Sequence, residues 1–394
     1  MILLKMLVFV FLPAIAFGAP SVGGISGTVS EGQLITISGS GFGTGPVNVV
    51  WLGGASGAIE SAAAGQLPYG SGNWAGWDGD TDTESSEAPE ISTDQAHSGN
   101  QSIWSHVSGD KYGSGFWVDW QAKFGTNYGE IFISYWVRWA ESGAEPPYQW
   151  KRVRFKLDNI DEYSIYQDHV GQLYHNYFAN STSWSDMNFK EGLEHTDWCA
   201  DCGDERYDDW VEGEIPQEEW AREDFYIRPE TEDSVNDGTF IHDVFIPNSA
   251  RYAAHNVNAN ADIGTTLRRY IIFQNYFGNL EAGTKNADFY IDDIYMADSP
   301  ARVEVCSEAA WSDRRRCEIQ PSESWTSNSI TVRVNQSSFA PSEPVYLYVV
   351  DASGAVNSAG YALSFGSSAA NGAAESGGGG GGGGGGCFIN SIIP

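Results

Sequence analysis

The segment running from Trp150 through Lys151, Arg152, Val153, Arg154 and Phe155 to Lys156 sets four cations in six consecutive positions of a chain whose formal charge is −31. On an extended strand, alternation puts Trp150, Arg152, Arg154 and Lys156 on one face and Lys151, Val153 and Phe155 on the other. A guanidinium offers a planar fork to a carboxylate, and neutralising a uronate carboxylate acidifies its C5 proton. β-Elimination then needs a base and an acid, roles that His and Tyr commonly take. Tyr166 and His169, or Tyr174 and His175, are the candidates to supply them, with Arg154 as the neutralising cation. Arg138, Trp150, Arg152, Lys156, Gln167, Gln274 and Tyr276 are the candidate ligand contacts. Alternation separates Gln167 and His169 from Tyr166, so not all can serve together. The competing reading is structural: the cations pair with surface carboxylates and the histidines bond to neighbouring loops.

Two further features bear on ligands. Thirteen of the fifteen tryptophans fall between Trp51 and Trp220. Exposed Trp and Tyr faces stack on sugar rings, although Trp also fills broad sandwich cores. Asp78, Asp80, Asp82 and Glu84 occupy every second position of WDGDTDTESSE, an oxygen-rich start to a calcium loop that lacks the glycine and closing Glu of an EF-hand.

The elements that must carry these residues read as strands. IFISYWVRWA has aromatics on both faces and is expected to be central and covered on both sides. YQWKRVRFKLDN, RRYIIFQNYFG and ADFYIDDIYMADS read as further strands, and YSIYQDHVGQLYHNYF as a hairpin about Gly171. Helical periodicity is scarce. The expected class is all-β, an antiparallel sandwich.

The run ISYWVRW, WKRVRF, EWAREDFYI, NDG and FYIDDIYMADSPARVEV resembles the concanavalin A-like lectin/glucanase jelly roll, whose members include polysaccharide lyases. The resemblance covers about residues 53–300. It implies two large curved antiparallel sheets with sugar lying across the concave one, and a structural calcium that would enlist Asp292 or Asp293. The glucanase pattern of closely spaced carboxylates on one strand is absent.

The chain ends tell a second story. Gly32, Ile35, Ile37, Gly39, Gly41, Phe42 and Gly43 near the start, with Trp325, Ile330, Val332, Val334, Tyr346, Tyr348, Val350 and Gly354 near the end, resemble the two halves of one IPT/TIG immunoglobulin-like domain. Neither half could bury a core alone. Residues 20–52 with 301–365 are thus expected to form a small sandwich that carries the 53–300 domain as an insertion.

Residues 1–18 read as a secretory signal peptide, with Lys5 before a short apolar run and small residues at Ala16 and Gly18. That run is too short for a span, and no other segment is long and apolar enough to make one. In an oxidising compartment Cys199 with Cys202, and Cys306 with Cys317, are expected to form disulfides. Ten glycines, Gly377 to Gly386, form a flexible tether ahead of Cys387, similar to bacterial C-terminal sorting signals. Residues 366–394 are therefore read as a tail with two alternatives, an anchor of the secreted chain at a cell surface or a plain disordered end. Between Glu191 and Asp243, nineteen acidic residues face only Arg206, Arg222 and Arg228, which argues against nucleic acid as a partner. Three functions compete: an extracellular binder of acidic polysaccharide, a lyase acting on a uronate polymer, and a structural or adhesion protein.

Overall fold

The computed structural model describes residues 18–54, 57–65, 75–77, 89–109, 113–119, 124–125, 129–143, 149–156, 172–177, 186–194, 214–229, 231–232, 237–247, 253–261, 270–278 and 285–369. Apart from two single-turn helices, the regular elements there are twenty-four strands. The first are β1 (Ser21–Thr28), β2 (Leu34–Ser40), β3 (Val49–Trp51), β4 (Ala75–Trp77), β5 (Glu90–Ser92), β6 (Ser102–Gly109), β7 (Gly113–Asp119), β8 (Ile131–Gly143) and β9 (Gln149–Lys156). The middle of the chain adds β10 (Gln172–Tyr177), β11 (Asp186–Glu194), β12 (Glu214–Pro216), β13 (Ala221–Arg228), β14 (Gly238–Phe245), β15 (Ala253–Ala261), β16 (Tyr270–Gly278) and β17 (Lys285–Ala297). The last are β18 (Arg302–Cys306), β19 (Cys317–Gln320), β20 (Ser322–Trp325), β21 (Ser329–Arg333), β22 (Pro344–Val350), β23 (Tyr361–Ser364) and β24 (Ser368–Ala369).

Two sheets enclose the larger core. One has seven strands in the order β12-β11-β10-β9-β16-β7-β4, the other seven in the order β15-β14-β13-β8-β17-β6-β5 with β3 joined to β17 as an eighth. Every pairing among these strands is antiparallel, so the protein is an all-β sandwich. Phe116, Val118, Ile271 and Phe273 enter the core from the first sheet, and Ile131, Ile133, Tyr135, Phe225, Phe289 and Ile291 enter it from the second. Each such side chain contributes about 1.5–3 kcal/mol on burial.

β8 is central in its sheet, between β13 and β17. Its alternate positions Phe132 and Trp136 point away from that core and are nonetheless buried. A second, smaller sandwich covers them. It consists of a five-stranded sheet, β20-β21-β2-β1-β24, and a four-stranded sheet, β19-β18-β22-β23. Strands from both chain ends meet here: β2 pairs with β21, setting Ile35 opposite Val332 and Ile37 opposite Ile330. Their side chains share a core with Phe42, Val303, Val305 and Leu347. At the seam between the sandwiches, Phe132 and Tyr295 pack with Ile319. Residues 1–17, most of the expected leader, lie outside the described residues, as do the Gly-rich stretch, Cys387, Cys199 and Cys202.

Candidate functional site

The seven-stranded sheet collects the cationic strand and its expected partners. Trp150, Arg152, Arg154 and Lys156 lie on β9, Tyr174 and His175 on β10, and Gln274 and Tyr276 on β16. β9 runs between the other two. Arg154 is opposite Ile272 and Lys156 is opposite Tyr270. Lys151 sits between Tyr276 on one side and Asn176 on the other, and Trp150 between Phe277 and Tyr177. His175 immediately precedes Asn176. Val153 and Phe155 pair with Phe273 and Ile271, whose side chains are buried. The register slips between Phe273 and Tyr276, a bulge that falls on Gln274 and Asn275. Bulges re-aim side chains and are over-represented beside active sites. The described partners of β10 are β9 and β11; Tyr166, Gln167 and His169, the first arm of the expected hairpin, lie outside the described residues.

Arg138 is on β8 and therefore belongs to the other sheet, apart from the β9 cations. Its Nε donates to the Glu218 carbonyl at 3.1 Å. On the neighbouring strands Asp288 bonds Trp104 Nε1 at 2.7 Å and His106 Nδ1 at 2.7 Å. Partial burial pushes the Asp288 carboxyl up, but these donors outweigh it and hold it below the ordinary range.

Asp292 and Asp293 stand at a bulge in β17, where Asp293 takes a φ of 50°. That kink turns both carboxylates toward the loop around His97. Asp292 accepts from the backbone N–H groups of His97, Ser98 and Asp293. Asp293 accepts from the Gly54 N–H at 2.8 Å and the Ser98 hydroxyl at 2.6 Å, and its Oδ2 lies 2.8 Å from His97 Nδ1. The approach is so close that a Cβ on Gly53 would stand 2.2 Å from Asp293 Oδ1, so only glycine fits. The other ring nitrogen of His97 lies 3.5 Å from Glu318 of the small sandwich, and the ring stacks on Trp136 at 3.7 Å. Glu318 also accepts from Trp136 Nε1 and the Ser338 hydroxyl. Burial pushes the Glu318 carboxyl up to about 7, and the same effect with the Asp293 charge lifts Asp292 well above the carboxylate range. His97, Asp293 and Glu318 lie close enough to share a cation. Asp78, Asp80 and Asp82, the expected calcium partners, are outside the described residues.

A second buried polar cluster joins the same two sandwiches. Arg222 on β13 donates to Asp224 from Nε and Nη2, to Ser134, to Glu304 at 2.9 Å and to the Cys317 carbonyl. Burial pushes the guanidinium down, but Asp224 and Glu304 outweigh it and hold it above the ordinary arginine range. Arg302 bonds Glu304 from the other side. Cys306 and Cys317 are bridged, as their spacing predicted, and tie β18 to β19 next to this cluster. A second ligand group, Glu304 with Cys306 and Cys317, lies within metal-binding distance, but the disulfide removes its two thiolates.

His97, Glu318, Glu304 and Arg222 were not singled out from sequence. The alternation of Arg222, Asp224 and Tyr226 in AREDFYI was a visible sign for Arg222. Nothing local marks His97 or Glu318, because each finds a partner across more than 180 residues of chain.

No protein-family model matches the chain, and no curated protein matches it. Among solved structures it is similar to a variant of the alginate lyase Aly36B in complex with alginate tetrasaccharide, at 13% identity over 64% of this chain and 98% of that one, with a TM-score of 0.38. It is similar also to the alginate lyase vAL-1 from Chlorella virus, at 11% identity over 52% and 88% with a TM-score of 0.31. A third is the GH131 β-glucanase catalytic domain from Podospora anserina, at 12% identity over 61% and 93% with a TM-score of 0.31. At such scores these likenesses assign no activity to this chain. Among the described residues no helix is long and apolar enough to cross a membrane.

Proposed function

We propose that the chain is a secreted binder of acidic polysaccharide, which lies across β10, β9 and β16 of the seven-stranded sheet. The observation that carries this reading is the placement of β9. In a chain of net charge −31, its densest cationic strand runs between a strand bearing Tyr174 and His175 and one bearing Gln274 and Tyr276. Val153 and Phe155 share register with buried core residues, so alternation assigns Arg152, Arg154 and Lys156 to the opposite face. Cations there would steer an anionic polymer to the sheet against the overall repulsion. The small sandwich of residues 20–52 and 301–365 serves as an IPT/TIG-like mount, residues 1–18 as the leader and the glycine-rich tail as a surface tether. Asp78, Asp80 and Asp82 are the proposed ligands of a structural calcium, and the carboxylates of Asp292 and Asp293 accept hydrogen bonds from protein donors.

Replacing Arg154 by Ala is expected to weaken binding of a uronate polymer by about 1–3 kcal/mol, with little effect on a neutral glycan. Binding should fall as salt rises, since screening acts beyond about 8 Å at physiological ionic strength. Equal affinity of Arg154→Ala and the parent protein for polyuronate would remove this reading.

A second reading, β-elimination of the same polymer, is favoured by the adjacency of His175 and Tyr174 to the β9 cations. It predicts ultraviolet absorbance from an unsaturated product, lost in His175→Ala. Binding without product separates the two.

A further inference from the structure

On the far side of the molecule, where the outer face of the sheet containing β8 meets the small sandwich, lies a cavity of about 560 Å³. That volume falls within the usual range for small-molecule sites. Its walls are aromatic on several sides, from Phe132, Phe245 and Trp311, and its polar groups include Arg302, Arg314 and Asp243. Trp311 and Arg314 belong to the loop closed by the Cys306–Cys317 disulfide, so the bridge fixes this rim.

The two arginines differ in how fully the protein uses them. Arg302 lies over the Phe132 ring at 4.3 Å, bonds Glu304 and donates to the Pro300 carbonyl. Arg314 lies over Trp311 at 4.0 Å and donates Nη1 to the Trp311 carbonyl. Its Nε is buried and has no hydrogen-bond partner among the described residues. Its Nη2 reaches Asp243 only at 3.7 Å, beyond hydrogen-bond range. The side-on edge of this guanidinium, Nε with Nη2, is therefore not spent on protein acceptors. An unmade hydrogen bond on a buried charged donor is costly, and a carboxylate is the acceptor whose two oxygens match that edge. The acids nearby all have protein partners: Asp224 has Arg222, Glu304 has Arg222 and Arg302, and Asp243 has further contacts of its own.

We propose that this cavity is a second ligand site, for a small carboxylated sugar of monosaccharide size, whose carboxylate takes the side-on edge of Arg314. Binding in this way requires the guanidinium to turn from its seat on Trp311 so that the buried edge faces the cavity. The aromatic walls suit the apolar face of a pyranose ring. Asp243 suits the ring hydroxyls, as an acceptor that also disfavours a multiply charged phosphate. This site is separate from the polymer-binding sheet and does not depend on it.

The test is calorimetric titration of the whole protein with D-galacturonate, D-galactose and inorganic phosphate. Galacturonate is expected to bind and the other two are not. Arg314→Gln should weaken galacturonate binding about tenfold or more, the scale of one charge-assisted hydrogen bond. Ala352→Trp, which adds bulk at a lining position of the cavity, should abolish it. Arg154→Ala should leave it unchanged. If Arg314→Gln fails to fold, Ala352→Trp carries the test. The inference falls if galacturonate does not bind, if galactose or phosphate binds as well, or if Ala352→Trp retains full affinity. Loss in Arg154→Ala but not in Ala352→Trp would place the sugar on the seven-stranded sheet, overturning this inference while leaving the polymer reading intact.

Discussion

Glu304 and Glu318 leave neighbouring strands of the small sandwich, face the same sheet of the larger one and are both fully buried, yet their acidities diverge. Glu304 lies between Arg222 and Arg302; burial pushes its carboxyl up, but the two guanidiniums outweigh it and hold it at about 2. Glu318 has the His97 ring, the Trp136 N–H and the Ser338 hydroxyl, with Asp293 nearby, and burial carries it up to about 7. Loss of water raises any buried carboxyl, and at Glu304 two guanidiniums within hydrogen-bond reach reverse the effect. One seam thus contains a permanently charged lock and a titratable one.

Breaking the charged lock should have the largest effect. Arg222→Met strands Asp224 without its cation and leaves Glu304 with Arg302 alone, and is expected to cost about 3–5 kcal/mol in urea denaturation at neutral pH. A loss under about 1 kcal/mol would show that the cluster is not the main fastening of the seam.

The titratable lock is sharpened by pH. A carboxyl raised from 4.5 to about 7 binds its proton more tightly folded than unfolded. Its stabilising contribution is therefore full below about 4.5 and is lost as pH rises through 7. Stability should fall between those values by at most about 1.4 kcal/mol per pH unit, and Glu318→Gln should flatten that slope. Glu304 has the opposite sign: its contribution is present above 4.5 and is lost as pH falls toward 2. An unchanged slope between pH 4.5 and 7 in Glu318→Gln would remove the distinction between the two carboxylates.

The smallest effect concerns the bridge that links them. Cys306 lies two residues after Glu304, and Cys317 directly precedes Glu318. The double replacement of Cys306 and Cys317 by Ala is expected to cost about 2–3 kcal/mol, since it releases only a short loop in the unfolded chain. A gain of two protons on reduction, read by intact mass, would verify this bridge.

The strands of this fold were legible where alternation is strong. IFISYWVRWA, YQWKRVRFKLDN, RRYIIFQNYFG and ADFYIDDIYMADS all became strands, and the aromatics on both faces of the first foretold its double burial. The Cys306–Cys317 bridge was legible because its spacing is local. Sheet order was not, because β9 and β16 pair across a chain separation that no local pattern encodes. The same holds for the seam. Arg222 meets Glu304 at a separation of 82 residues, and the Ser337 hydroxyl meets His97 at 240. Such contacts arise from how two sandwiches are placed together, and a residue's own neighbours in sequence do not record that.

The pairing of β2 with β21 also sets a timetable. Thr36 meets Thr331 across 295 residues, which a ribosome supplying roughly 5–20 residues per second delivers in about 15 to 60 seconds. For that interval β1 and β2 have no partner sheet, while the larger sandwich can close on itself. Its outer face, with Phe132, Trp136 and Phe245, then stays wet until β18 and β19 emerge. During synthesis the greatest hazard of misassembly is therefore on the face that the finished protein hides best.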